Sequence, residues 1–183
     1  FHLCECEWTR VELENLGIKA KVVPFPPASF YEPTPLPPKF TVAIYAPAIN
    51  AELYNVNLMM EIADEMKDVE FRFFGNPAKI GSKGNVKWVG KVDQSEMQRF
   101  INDCSAILRV TAHDGQPLSL IEFISAGRWT IFGSGNLIMK KDLLPQEYII
   151  VSRFDKETIK NAILKAKELC EKKGLNLTGA NYW

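Results

Sequence analysis

Residues 105–132, SAILRVTAHDGQPLSLIEFISAGRWTIF, pass from an apolar run through a polar loop into a second, longer apolar stretch and a final apolar run. Short apolar runs bounded by polar or Gly residues are typical of buried strands. A longer apolar stretch between two such runs is typical of a helix that joins two parallel strands. We expect strands at 105–110 and 129–132 and a helix at 117–126. Pro117 suits the first helical position, because an N–H has no partner there.

The same alternation extends in both directions along the chain. Further strands are predicted at 40–45, 69–74, 86–89 and 148–151. Further helices are predicted at 50–66, 94–103 and 156–172. Residues 76–85 carry Pro and Gly, so we expect a loop there. The pattern is that of the α/β class and predicts a Rossmann-like open sheet, mostly parallel, with helices on both faces.

The chain before residue 39 is rich in proline and does not continue the alternation of strands and helices. Seven of the eleven prolines fall between residues 24 and 38, where they forbid helix and favour extended backbone. Before them we expect a short helix at 7–15, with Leu13 and Leu16 on its apolar side, and a strand at 19–23. The expected organisation is an interdomain flank and Pro-rich linker at 1–38, a Rossmann-like domain at 39–174 and a C-terminal tail at 175–183.

Composition excludes several classes of function. The 183 residues carry 22 Lys plus Arg and 22 Asp plus Glu, and a net charge of zero argues against a nucleic-acid partner. No run approaches the roughly 18 to 20 apolar residues of a membrane span and no signal peptide is recognisable, so we expect a cytoplasmic protein. Cys4 and Cys6 are too close in sequence to form a disulfide comfortably, and Cys104 and Cys170 lie far away, so we expect reduced thiols. No second Cys or His pair lies at zinc-like spacing, so we expect no metal site. Because the chain begins at Phe1, we expect it to be part of a longer protein.

Two acidic residues of the opening stretch are candidate functional groups. Glu122 is the only charged residue between Gly115 and Gly127. A carboxylate in so apolar a helix costs roughly several kcal/mol unless it is paired, hydrogen-bonded or solvated. The vicinal hydroxyls of a ribose could satisfy both of its oxygens, and the alternative is a solvated carboxylate on the outer side of the helix. Asp114 precedes the helix, either as a ligand-binding acid or as a turn residue, since Asp-Gly is a common turn dipeptide.

The start of this helix is a candidate anion site. The backbone N–H groups of Leu118 and Ser119 point out of the helix N-terminus, where the helix dipole favours negative charge. Gly115 has no side chain to hold a ligand away. Arg109, at the end of an apolar strand, is a candidate cation for a phosphate, with a structural salt bridge as the alternative. Residues 133–136 could also cradle a phosphate, or they could form a plain turn.

Several of these segments resemble one known family. The spacing of Asp114 and Glu122 resembles the Glu-x7-Glu signature of the retaining family 4 glycosyltransferases of the GT-B fold. Phe73-Phe74-Gly75 is similar to the strand and glycine that open the nucleotide pocket of that family, and Asn85 to Gly90 is similar to its segment beside the base. The helix at 93–104 and the flank also resemble the family, so that the resemblance covers roughly residues 1 to 170.

The resemblance implies a role for the chain as a whole. It would be the C-terminal, donor-binding half of a two-domain enzyme that transfers a sugar from a nucleoside diphosphate sugar with retention of configuration. A missing N-terminal domain would bind the acceptor, saccharide, lipid-linked or other, and could bring the enzyme to a membrane surface. No cofactor and no obligatory metal are implied. The chain alone would bind donor and transfer nothing.

The resemblance also implies roles for individual residues. Glu122 would hold the ribose hydroxyls, and Asp114 would lie at the sugar and phosphate end in place of the first Glu, so these two are the expected catalytic residues. The base would lie near Gly75 and the segment from Trp88 to Gly90. The other donor-binding residues that the resemblance implies are Gly115, Gln116, Leu118 and Ser119. Two further candidate donor-binding residues come from their own chemistry: Arg109 as a cation for the diphosphate, and His113, whose alternative is a plain polar surface residue.

Two departures from the family keep alternatives open. The family places an Arg and a Lys after the first strand of this domain, whereas residues 46–52 contain no cation. The first acid is Asp and therefore reaches less far than Glu. A non-catalytic nucleotide-binding or structural Rossmann-like module, or a GT-B-like nucleotide-sugar epimerase, remains an alternative. A dehydrogenase is disfavoured, because no Gly-x-Gly-x-x-Gly follows a strand.

Overall fold

The computed structural model describes residues 2–23, 29–111, 114, 117–133, 149–151 and 153–181. Within these residues the strands are β1 (His2–Cys4), β2 (Ala20–Val22), β3 (Thr41–Tyr45), β4 (Glu70–Phe74), β5 (Ile80–Lys83), β6 (Val86–Gly90), β7 (Ala106–Arg109), β8 (Trp129–Gly133) and β9 (Ile149–Val151). The helices are α1 (Glu7–Asn15), α2 (Val56–Glu65), α3 (Gln94–Asn102), α4 (Leu118–Ser125), α5 (Lys156–Lys173) and α6 (Leu177–Ala180).

The main sheet has the strand order β5-β6-β4-β3-β7-β8-β9. Every neighbouring pair is parallel except β5 and β6, which form an antiparallel hairpin. The chain builds outward from β3 to β4 and β6 and then returns to place β7 on the other side of β3. Ligands of open α/β sheets bind at the carboxyl ends of the strands beside such a reversal. The topology therefore points to the ends of β3 and β7.

Helices cover both faces of the sheet, as the alternation predicts. On one face α2 and α5 pack with alternate strand residues such as Val42 and Ile44 of β3. On the other face α3 and α4 pack with the intervening Ala43 and with Ile107 of β7. Because successive strand residues point to opposite faces, a strand buried on both sides must be apolar throughout. The predicted Rossmann-like architecture is confirmed.

The structure departs from the predicted elements at residues 76–85 and at the start of α2. Residues 76–85 contain the strand β5, whose four residues are all exposed, so its sequence carries no apolar alternation. The helix predicted from residue 50 begins at Val56. Asn55 is in the left-handed region, with φ of 51°, and its side-chain amide donates to the carbonyl oxygen of Val110 at 2.9 Å. This tertiary bond stabilises a turn where the pattern predicts helix.

Two smaller expectations also need correction. Pro117 lies at the N-cap of α4 instead of its first helical position, with φ of −75° and ψ of 86°. Leu118 and Ser119 are therefore the first residues of the helix. Leu16 is 75% exposed, so it does not pack on an apolar side of α1 as predicted.

The flank forms a unit of its own. Strand β1 pairs in parallel with β2, and α1 connects them, so that residues 2–22 make one βαβ unit beside the main sheet. The side chains of Cys4 and Cys6 are buried, and their thiols are not joined in a disulfide. No helix within the described ranges is long and apolar enough to span a membrane.

Candidate functional site

The carboxyl edge of the sheet brings several of the predicted site residues to one place. Strands β3, β4, β6 and β7 end at Tyr45, Phe74, Gly90 and Arg109, and β4 leads directly into Gly75. The parallel register places these ends side by side, and the N–H of Gly75 donates to the carbonyl oxygen of Gly90 at 2.8 Å. The edge beside the reversal of strand order is therefore the candidate site.

Arg109 and Asp114 form an ion pair at this edge. The Nε of Arg109 donates to Oδ2 of Asp114 at 2.5 Å, and the two side chains are only 10% and 11% exposed. A second guanidinium nitrogen donates to Oγ of Ser119 at 3.1 Å, in the first turn of α4. The structural salt bridge considered for Arg109 is thus present, and it ties the end of β7 to both the acid and the helix start.

Two tyrosines enclose the same guanidinium. The carbon of the Arg109 guanidinium lies 4.7 Å from the ring centroid of Tyr45 and 5.2 Å from that of Tyr54. The two rings pack edge to face at 5.1 Å. Burial raises the pKa of Tyr54 despite the opposing effect of the Arg109 charge. A cation held between aromatic rings and a carboxylate has a fixed position, which suits the binding of an anionic ligand group.

Glu122 lies inside the protein. It is 6% exposed on α4, which excludes the solvated carboxylate on the outer side of the helix. The side-chain amide of Gln94, at the start of α3, donates to Oε1 of Glu122 at 3.4 Å. Burial raises the pKa of the Glu122 carboxyl, and the Gln94 hydrogen bond opposes that rise. Burial of a carboxylate with so few hydrogen bonds to the described residues costs free energy of folding, so Glu122 is a candidate ligand-binding group.

The start of α4 has the arrangement expected for an anion site. Leu118 and Ser119 occupy the first two positions of the helix. The backbone N–H groups of a first turn lack partners within the helix and carry the positive end of its dipole. The side chain of Ser119 accepts a hydrogen bond from Arg109, so the guanidinium lies next to the start of the helix.

Gly75 and Gly90 have positive φ angles of 105° and 79°. A Cβ at Gly75 would lie 2.7 Å from Cε2 of Tyr45, so both the backbone conformation and the packing require glycine there. Trp88 stacks on Phe73 with ring centroids 4.7 Å apart, and the amine of Lys79 lies 4.5 Å from its ring centroid. Trp88 is thus a packed residue of β6 next to the site.

The structure leaves part of the predicted site undescribed. His113, Gly115 and Gln116 lie outside the described residues, as do residues 134–136. In the described part of the chain, no group of three His, Cys, Asp or Glu residues is placed to hold a metal ion.

Sequence reasoning missed several polar residues that contact the site. Tyr45, Tyr54 and Gln94 are not among the predicted site residues, and neither is Tyr31, whose phenol oxygen accepts a hydrogen bond from Gln94. Tyr45 could have been found, because it is the polar residue that ends β3 at the carboxyl edge. Gln94 and Tyr31 have no such local signal, since their role depends on contacts with residues far away in sequence.

Comparisons with known proteins show similarity at the level of fold. No protein-family model and no curated protein matches the sequence. The structure of Staphylococcus aureus TarM in complex with fondaparinux, α-GlcNAc-glycerol and UDP matches with a TM-score of 0.72 at 14% identity, over 98% of this chain and 38% of that one. Anabaena HepE in complex with UDP and glucose matches with a TM-score of 0.73 at 10% identity, over 98% and 56%.

A third structure agrees with these two. The lipopolysaccharide outer core galactosyltransferase WaaB, in its apo form, matches with a TM-score of 0.71 at 16% identity, over 100% of this chain and 56% of that one. This chain thus spans between 38% and 56% of the length of these three proteins. The fold is that of one half of a GT-B glycosyltransferase.

Proposed function

We propose that this chain is the donor-binding domain of a retaining glycosyltransferase, similar to family 4, which takes a sugar from a nucleoside diphosphate sugar and transfers it to an acceptor. The observation that carries the proposal is the buried carboxylate of Glu122 at the carboxyl edge of a half GT-B fold. Its Oε1 accepts one long hydrogen bond from Gln94, so it retains capacity to accept more. The vicinal hydroxyls of a ribose would supply two donors.

The Arg109 cluster supports a diphosphate next to that ribose. The guanidinium of Arg109 donates one hydrogen bond to Asp114 and another to Ser119, in the first turn of α4. A guanidinium and helix amides aimed at one point stabilise the negative charge that develops on a departing diphosphate, without a metal or other cofactor. Asp114 would face the transferred sugar, together with the neighbouring His113, Gly115 and Gln116.

The βαβ unit of the flank supports a two-domain enzyme. Within the described residues its sheet has two strands, and such a pair is marginally stable on its own. Leu3 and Leu16 of this unit are 59% and 75% exposed. We infer that the unit completes a second Rossmann-like domain, which binds the acceptor. TarM, HepE and WaaB are longer than this chain, in keeping with a second domain.

Calorimetric titration with UDP, GDP and ADP tests the proposal. We expect one of the three to bind selectively, and we expect Glu122→Ala to remove most of that binding. Glu171→Ala is the matched control, because Glu171 is an exposed carboxylate near the C-terminal end of α5. Failure of all three nucleotides to bind the folded chain would overturn the donor-binding role.

Catalysis is tested separately with the corresponding nucleotide sugars. We expect these 183 residues to bind donor and transfer nothing, because the acceptor side belongs to the second domain. Measurable glycosyl transfer by this chain alone would contradict that expectation. Transfer is expected once the second domain is joined to it.

A non-catalytic nucleotide-binding module is the second candidate function. It is favoured by the ion pair of Arg109 with Asp114, which already neutralises the candidate cation, and by the lack of a cation in residues 46–52. Nucleotide binding without any transfer or hydrolysis by the two-domain chain would select this alternative.

A further inference from the structure

The proline-rich segment, defined here as residues 29–38, lies against the helices of the candidate site. Tyr31 is 8% exposed and packs into the apolar cluster formed by α3 and α4. Its backbone N–H donates to Oγ of Ser125 at 3.1 Å. Ser125 follows Glu122 by three residues, so Tyr31 and Glu122 are attached to the same short helix about one turn apart.

A buried arginine fixes the segment to the domain at a second point. Arg128 is fully buried, and its guanidinium donates to the carbonyl oxygen of Thr34 at 2.6 Å and to Oγ1 of Thr34 at 2.8 Å. The Thr34 hydroxyl in turn donates to Oδ1 of Asn102 at 2.8 Å, at the end of α3. Leaving these charged and polar groups unbonded would be costly, so the position of the segment is set without any contribution from Glu122.

Gln94 connects this segment to the buried carboxylate. Its side-chain Nε2 donates to the phenol oxygen of Tyr31 and also to Oε1 of Glu122 at 3.4 Å. A primary amide carries two N–H groups, so one Gln94 side chain can serve both acceptors at once. The three side chains form a polar chain in an otherwise apolar layer between α3 and α4.

We propose that Gln94 and Tyr31 are positioning residues for Glu122, so that the proline-rich segment forms part of the site that recognises the ribose. Gln94 holds one carboxylate oxygen and leaves the other free for the vicinal hydroxyls. Tyr31 fixes the orientation of the Gln94 amide and covers the carboxylate from water. This inference rests on the proposed donor-binding function and adds residues to the same site.

The role predicts a particular pattern of lost affinity. Both hydroxyls of a ribose can bind one carboxylate only when the plane of that carboxylate is set correctly. Loss of Gln94 or of the Tyr31 hydroxyl therefore weakens the part of the affinity that depends on the 2′ and 3′ hydroxyls. The part that comes from the base and the diphosphate is unaffected, because other residues bind those groups.

The test compares UDP, GDP and ADP with their 2′,3′-dideoxy counterparts by calorimetry. For the nucleotide that binds best, we expect Gln94→Leu to reduce the affinity ratio of the ribose form over the dideoxy form about tenfold, the effect of one hydrogen bond to a charged group. We expect Tyr31→Phe to reduce the same ratio about threefold. The affinity of the dideoxy form itself should change little in either variant.

Gln98→Leu is the matched control. Gln98 lies one turn further along α3 and donates to Oδ1 of Asn102 at 2.7 Å and to the carbonyl oxygen of Glu32 at 3.5 Å. It is the same residue type on the same helix and contacts the same segment, at a distance from Glu122. We expect this variant to lower stability slightly and to leave the affinity ratio unchanged.

The outcomes separate this inference from the proposed function. An unchanged ratio in both Gln94→Leu and Tyr31→Phe, together with a collapsed ratio in Glu122→Gln, overturns the positioning role and leaves donor binding intact. Absence of nucleotide binding in the unmodified chain overturns both. Should Gln94→Leu fail to fold, Tyr31→Phe decides alone, because it removes a single oxygen and keeps the packed ring.

Discussion

Glu122 illustrates a conflict between stability and function within one residue. The side chains around it on α4, among them Leu120, Ile121 and Phe123, are buried and apolar. Burial raises the pKa of the carboxyl, which means that the native state favours the protonated form more than the unfolded state does. A glutamine or leucine would suit this environment better. A residue that the fold alone would not select is a candidate for selection by ligand binding.

Replacement of Glu122 by Gln is expected to stabilise the protein at neutral pH. Between the ordinary pKa of a glutamate and the raised pKa in the native state, the native state binds more protons, so the stability of the unmodified chain falls as pH rises through that window. The Glu122→Gln variant has no such loss, because an amide does not ionise. Urea unfolding from pH 4 to 8 should show a higher free energy of unfolding for Glu122→Gln than for the unmodified chain at pH 7, with the difference growing as pH rises through that window.

The same experiment has a clear internal check. The gain should vanish below the ordinary glutamate pKa, where both states of the unmodified chain are protonated. Glu171→Gln, which makes the same substitution at an exposed carboxylate of α5, is the control measured alongside it. A stability gain for Glu122→Gln that is the same at every pH would show that ionisation of Glu122 is not its cause.

The ion pair of Arg109 with Asp114 makes a second prediction at the residue scale. Asp114→Asn keeps the shape of the side chain and removes its charge, so the nearly buried guanidinium loses its carboxylate. We expect a loss of about 2 to 3 kcal/mol in the free energy of unfolding, moderated by the two tyrosine rings that remain. Denaturant titration measures this change.

An exposed ion pair serves as the control for that prediction. Asp64 pairs with Lys67 at 2.5 Å, and both side chains are mostly exposed. Asp64→Asn should produce no measurable change, because solvent screens exposed pairs and their side chains are mobile. An equal effect of the two substitutions would mean that the burial of the Arg109 pair contributes nothing to its strength.

At the scale of elements, the ends of the parallel strands carry the most specific backbone requirements. Gly75 follows β4 with φ of 105°, and any side chain there would meet the Tyr45 ring at the end of β3. We expect Gly75→Ala to destabilise the protein by about 2 to 3 kcal/mol. Displacement of Tyr45 would also disturb the guanidinium of Arg109, so nucleotide affinity should fall as well.

Gly84 provides the comparison for Gly75. It lies in the β5–β6 hairpin with φ of 60°, and a Cβ built there has no heavy atom within 4 Å. Gly84→Ala should therefore cost only the backbone strain, about 1 kcal/mol, and leave nucleotide affinity unchanged. Thermal unfolding and calorimetric titration of both variants measure the two effects. Equal losses in stability would show that the contact with Tyr45 is absorbed without cost.

The elements also show where sequence patterns succeed and where they fail. The pattern predicts α1, α3 and α5 within one residue of their observed ends, because the residues that mark each helix are neighbours in the sequence. It fails at β5, which is exposed on both faces and held by its hydrogen bonds with β6. It also fails at the start of α2, where the side chain of Asn55 bonds to the distant Val110.

At the scale of the whole molecule, the two strands of the βαβ unit of the flank form a sheet separate from the main sheet. Among the described side chains of residues 2–23, Cys4 and Cys6 are the buried ones, so the unit adds little to the buried core of this chain. The segment from Tyr31 to Thr34, by contrast, is bonded to α3, α4 and Arg128. Among the described residues, the segment from Tyr31 to Thr34 thus makes hydrogen bonds to the main domain, whereas residues 2–23 contribute two buried side chains.

Removal of residues 1–23 is expected to have little effect on the stability of the remainder. Because few buried contacts are lost, we expect the midpoint of thermal unfolding to fall by less than about 4 °C, which corresponds to about 1 kcal/mol in a chain of this size. Removal of residues 1–34 should lower it much further, since Arg128 would then be buried without its Thr34 partners. Circular dichroism melts of both shortened chains measure the difference, and similar midpoints would contradict the attachment described here.

The sequence by itself determined the α/β class of this protein, most of its alternating strands and helices, and the stretch in which an acid and a glycine precede an apolar helix that carries one glutamate. These features follow from local periodicity, from turn residues and from the cost of a charge in an apolar run. Only the tertiary structure decided that Arg109 pairs with Asp114 and that Gln94 joins Tyr31 to Glu122. Residues 31, 94 and 122 are brought together by packing of α3 and α4 on one face of the sheet, and no local pattern encodes a contact across such distances in sequence.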